Sequence, residues 1–68
     1  MKVGDVVMFI DDGRYAKWFW GKLGIAENVV INSGGEEHCR VKWIEPVKYF
    51  DRFASVSSFR TSNFMIIG

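Results

Sequence analysis

The chain has 68 residues, a formal net charge of +1 and one cysteine, Cys39. That length is a single domain, residues 1–68, and such a chain buries only about 60% of its unfolded surface. One cysteine excludes an intrachain disulfide and a thiol-based metal framework, so stability has to come from dense packing or from a partner chain.

Aromatic residues supply that density: they make up 16% of the sequence and include Trp18, Trp20 and Trp43. The pI near 7.9 lies below the value of about 9 common in dedicated nucleic-acid binders. A nucleic-acid ligand would therefore require the cations to be gathered on one face. The opening MKVGDVVMF has no long apolar run and is not a signal peptide. No segment approaches the roughly 20 apolar residues of a membrane helix. A free thiol without an export signal fits a reducing, cytoplasmic setting. Met1 at the start and the lack of a tag-like stretch read as a complete gene product.

In chain order, Asp5–Asp11 (DVVMFID) is β-branched and apolar and predicts a first strand, closed by the turn dipeptide Asp12-Gly13. Tyr15–Glu27 (YAKWFWGKLGIAE) predicts a long alternating second strand, bent at Gly21 and Gly24 and continued by Val29–Ile31. Asn32-Ser33-Gly34-Gly35 predicts a hairpin turn. His38–Ile44 (HCRVKWI) alternates as a third strand, and Pro46, which has no N–H, is expected to end its pairing. Val47–Ala54 reads as irregular or strand-like chain, although Val47, Phe50 and Ala54 would also share a face of one helical turn. Phe59 and Asn63–Ile67 predict closing strands around a tight turn at Arg60-Thr61-Ser62. Four to five short antiparallel strands, with room for one short helical or 3₁₀ turn, make an all-β fold that closes as a small barrel and hides its edges.

Alternation assigns the faces. In the second run Phe19, Gly21, Leu23 and Ile25 read as core, and Trp18, Trp20, Lys22 and Gly24 as the outside. In the third, Cys39, Val41 and Trp43 read as core, and His38, Arg40, Lys42 and Ile44 as the outside. A hairpin between these runs would merge the outer sets into one aromatic and basic surface: Trp18, Trp20, Lys22, His38, Arg40 and Lys42.

Val3-Gly4-Asp5-Val6-Val7, Trp18-Phe19-Trp20-Gly21-Lys22-Leu23, Val41-Lys42-Trp43 and Ser58–Phe64 together resemble the SH3-like small-barrel superfold, in the loose sense that includes Tudor and KOW-type barrels. The resemblance spans nearly the whole chain. It implies a 3₁₀ turn before the last strand and a ligand groove at the first tryptophan, Trp18. The chain lacks the ALYDY opening and PSNYV closing of SH3 domains, which speaks against proline-rich ligands. Such a fold hosts many functions and decides none of them.

Each candidate residue has a plainer reading beside the functional one. Trp18 and Trp20 form a stacking or groove platform, or one of them caps an open barrel end or packs beneath Tyr49–Phe53. Lys17, Lys22, Arg40 and Lys42 meet phosphates, or they keep a sheet face soluble. Adjacent His38 and Cys39 point to opposite faces of a strand, which argues against a nucleophile pair, and one His with one Cys cannot complete a zinc site. Cys39 reads as a small buried apolar group. The pairs Asp11/Asp12 and Glu36/Glu37 flank turn glycines and read as turn residues rather than an acid–base pair. No P-loop is present.

The expectation is thus a binding module rather than an enzyme, with no catalytic residues, cofactor or metal. Its partner is nucleic acid, with bases on tryptophan and phosphates on Lys22, Arg40 and Lys42, or else a protein met through aromatic anchors. The second matches the size of many phage-encoded or regulatory adaptors and inhibitors of larger machines. An aromatic cage for methylated residues is a third reading. A small unstapled chain also suits a homodimer.

Overall fold

The computed structural model describes all 68 residues. Five strands form one antiparallel sheet: β1 (Val6–Phe9), β2 (Leu23–Ile31), β3 (Glu37–Tyr49), β4 (Arg52–Arg60) and β5 (Phe64–Ile66). A single helical turn, α1 (Ala16–Phe19), lies between β1 and β2, and a 3₁₀ turn at Thr61–Asn63 precedes β5. The spatial order is β4-β3-β2-β1-β5. The chain therefore meanders through four strands, and the 3₁₀ turn returns the fifth to the free side of β1. The ladder stays open between β4 and β5, which are its two edges. Only side chains meet across that gap, with the Phe59 and Phe64 rings 6.1 Å apart.

The β2–β3 hairpin forms where its turn residues predict. The Asn32 side-chain oxygen accepts from the N–H groups of Gly34 (2.9 Å) and Glu36 (3.0 Å). Gly35 takes the positive φ of 83° that the turn needs. Inward side chains then build the core from Val7, Phe9, Phe19, Cys39, Val41, Trp43, Val47 and Phe64. Trp43 stacks on Phe19 with ring centroids 5.3 Å apart. Its indole N–H donates to the Ser57 hydroxyl at 2.9 Å, which satisfies the one polar atom this large ring takes inside.

Three expectations need correction. Tyr15–Lys22 is not strand. The Asp11 carboxylate accepts from Gly13 N–H at 3.1 Å, and the Tyr15 carbonyl accepts from both Trp18 and Phe19 N–H. These bonds wind the chain into α1. Gly21, at φ 78°, reverses it and donates to the Phe9 carbonyl at 2.8 Å.

The turn resets the strand phase, so the predicted faces of β2 are exchanged. Gly24 and Ala26 point in, while Leu23 and Ile25 point out. The reason is room: a Cβ on Gly24 would collide with the Val41 side chain and stand 2.9 Å from the Lys42 carbonyl oxygen. The inner space over β2 is already filled from β3.

Pro46 also does not end β3. The ladder to β4 breaks between Lys42 and Val47 and resumes at Val47↔Ala54, so Pro46 occupies a bulge where no N–H is required. Val47–Ala54 takes the strand-like of its two readings, as a β-hairpin turned by the two residues Phe50-Asp51.

Candidate interaction surface

The outer face of the sheet is best described by its cross-strand rows. Met65, Met8 and Leu23 are neighbours across β5, β1 and β2. Val6, Ile25, Lys42 and Val56 form the next row, across β1 to β4. Farther along come Asn28, Arg40 and Ser58, then Val30, His38 and Arg60.

One end of this face is therefore apolar. Leu23, Ile25, Ile44, Val56 and Met65 are 39–56% exposed. Leu23 and Ile44 line a shallow depression of about 260 Å³, bordered by Gly21, Lys22, Glu45 and Pro46. Lys42 stands between Ile25 and Val56, and neither it nor Lys22 forms an ion pair.

Apart from exposed Val30, the other end is polar and largely self-neutralised. Arg60 meets Glu36 at 2.8 Å and Arg40 meets Glu27 at 3.7 Å. His38 lies 3.9 Å from Glu36 and 3.4 Å from the Asn32 amide nitrogen. Exposed pairs of this kind contribute about 0–1 kcal/mol each, but they do occupy the cations that phosphates would need.

Of the six residues expected on one surface, the structure brings together His38, Arg40 and Lys42 on the outside of β3, all at least partly exposed. Lys22 lies at the rim of the depression. Trp18 stands apart from them. It is half-buried in α1, with its ring 4.7 Å from both Tyr49 and Phe50, at the opposite end of the 13-residue β3 from His38. Trp20, 58% exposed, caps α1. The merged aromatic and basic surface is therefore not formed. It required Trp18 and Trp20 to lie on a strand paired with β3, and both sit in the turn that replaces that strand.

Two further aromatic residues, Phe50 and Phe53, lie exposed at the Trp18 end. Phe50 is 63% exposed and has φ 58°, the sole non-glycine residue with positive φ. It occupies the first central position of the β3–β4 turn, where glycine is usual and a bulky residue costs about 1–2 kcal/mol. Lys17 also lies over Trp18, with its ammonium 4.4 Å from the ring centroid. Phe53, 69% exposed, follows on β4 opposite Lys48.

Cys39 is buried on the inner face of β3. Burial, reinforced by the nearby Glu37 carboxylate, pushes its thiol up to about 11, far from the thiolate range of a nucleophile. No three His, Cys, Asp or Glu side chains gather as a metal site. No helix is long and apolar enough to cross a membrane. No protein-family model, characterised protein or solved structure matches this chain.

Proposed function

We propose that the chain is a non-enzymatic binding module that docks a protein partner on the apolar end of its outer sheet face. The observation carrying this reading is the group of exposed apolar side chains Met65, Leu23, Ile25, Ile44 and Val56 gathered around the unpaired Lys42. Contiguous apolar surface rimmed by polar groups marks interaction sites. The partner that fits presents an apolar side chain to the Leu23–Ile44 depression and a carboxylate to Lys42.

The same reading takes the fold as a small barrel of the SH3-like kind, with β1 shared between β2 and β5 and with Phe59 and Phe64 meeting at the gap. Nucleic acid fits the surface less well. Arg40 and Arg60 are engaged by Glu27 and Glu36, and Trp18 packs on Tyr49 and Phe50 at the end of β3 remote from His38.

The test is capture from native lysate on the immobilised chain, compared with the variant Leu23→Asp/Ile44→Asp. A protein retained at both about 50 and 200 mM salt, and lost with the variant, supports the proposal. Tryptophan quenching by a DNA and RNA panel, with affinity falling about tenfold or more over that salt range, would replace it with phosphate binding.

A further inference from the structure

The two sheet edges are unequally protected. β5 is three residues long, and the chain beyond it stays bonded along β1, where Ile67 and Gly68 N–H donate to the Val6 carbonyl. β4 is nine residues long, and none of its backbone groups bonds to a turn, loop or cap. Its free side therefore presents a row of unpaired N–H and C=O groups. Natural sheets blunt such an edge with proline, lysine or inward charge. The β4 sequence RFASVSSFR has no proline, glycine or lysine, and Phe53–Phe59 contains no charge at all. That composition favours pairing with another strand, and the two flanking arginines limit its extent.

We propose that β4 pairs antiparallel with β4 of a second copy of this chain, about a two-fold axis through Ser58. The register follows from charge and geometry. Val56–Arg60 is the regular part of β4, paired without interruption to His38–Lys42 of β3. An axis at Val56 would set Arg52 against Arg60 of the other copy, twice, and like charges directly opposite are destabilising. An axis at Ser58 sets Ser58 against Ser58, Ser57 against Phe59 and Val56 against Arg60, with no like charges opposed. Arg60 keeps Glu36, and its aliphatic stem covers Val56 of the other copy. One two-fold contact consumes both long edges and leaves only the short β5 edges, so assembly closes at two chains. Val56 belongs to both surfaces, whereas Leu23 and Ile44 lie on β2 and β3, so variants at those two positions test partner docking apart from the dimer.

Sedimentation of the full chain tests this directly. The expected result is twice the 7.8 kDa chain mass, with half-dissociation at about micromolar concentration. Ser58→Lys, on the exposed outside of β4, places two ammonium groups across the axis and should return the chain to a monomer with an unchanged circular dichroism spectrum. In a Cys39→Ala background, dissolved oxygen should oxidise Ser58→Cys to a disulfide-linked dimer, because directly opposed strand residues lie within disulfide reach. A chain that stays monomeric to about 1 mM, an open series of larger assemblies, or a dimer that ignores Ser58→Lys and fails to cross-link through Ser58→Cys would overturn the proposal. Loss of partner capture with Leu23→Asp/Ile44→Asp while the dimer persists would separate the two surfaces.

Discussion

β2 and β3 are adjacent strands that solve the same packing problem in opposite ways. β3 is amphipathic in the ordinary sense, with Cys39, Val41, Trp43 and Val47 inside and Arg40 and Lys42 outside. β2 places Gly24 and Ala26 inside and Leu23 and Ile25 outside. Trp43 and Val41 fill the interior beside Gly24, so that part of β2 contributes almost no side chain, and only farther along does Val29 pack against the core. Orientation on β2 thus follows available room rather than hydropathy. The apolar groups it leaves outside are what a partner would cover.

Gly24→Val attacks the contrast hardest. It drives a branched side chain into Val41 and the β3 backbone and should cost about 3 kcal/mol or more, read as a lower midpoint in urea. A variant as stable as the parent would mean that the inner space is not shared. Next comes a pair of truncations of similar chemistry, one on each strand. Val41→Ala inside should cost about 2 kcal/mol. Ile25→Ala outside should change stability by only about 0.5 kcal/mol, while weakening partner capture. Equal costs would erase the distinction between the strands. Lys42→Glu should leave the melting temperature nearly unchanged but lower partner affinity about tenfold, by setting a like charge against the partner's carboxylate. The smallest effect is expected for Arg60→Ala, within about 0.5 kcal/mol, because its ion pair with Glu36 is exposed.

What the sequence disclosed depended on local chemistry. Asn32–Gly35 specifies its hairpin through an Asx turn and a positive-φ glycine, and HCRVKWI keeps one phase from end to end. Those segments, and the turn before the last strand, were legible. The second run misled because Tyr15–Trp20 alternates like a strand, while its fate is set by the Asp11 carboxylate and by Gly21. A strand reading of that run puts Leu23, Gly24 and Ile25 one position out of phase. The same slip joins Trp18 and Trp20 to the β3 cations and hides Leu23 and Ile25 as surface residues beside Ile44. Phe50-Asp51 was opaque for a different reason: a bulky residue holds a turn position at which glycine is expected.

Cys39 offers a clock for all of this. Its thiol is buried and raised from 9.0 to about 11, whereas unfolding returns it to the lower value. The folded chain therefore holds that proton more tightly. The associated stability is complete below pH 9 and drains away as the pH climbs through 11. At neutral pH a thiol reagent can reach the sulfur only when β3 separates from the strands and the core that cover it. The labelling rate, divided by that of the unfolded chain, then measures how often the sheet opens, one molecule at a time and without denaturant. Partner docking or edge pairing would each slow that clock by the amount they stabilise the closed sheet.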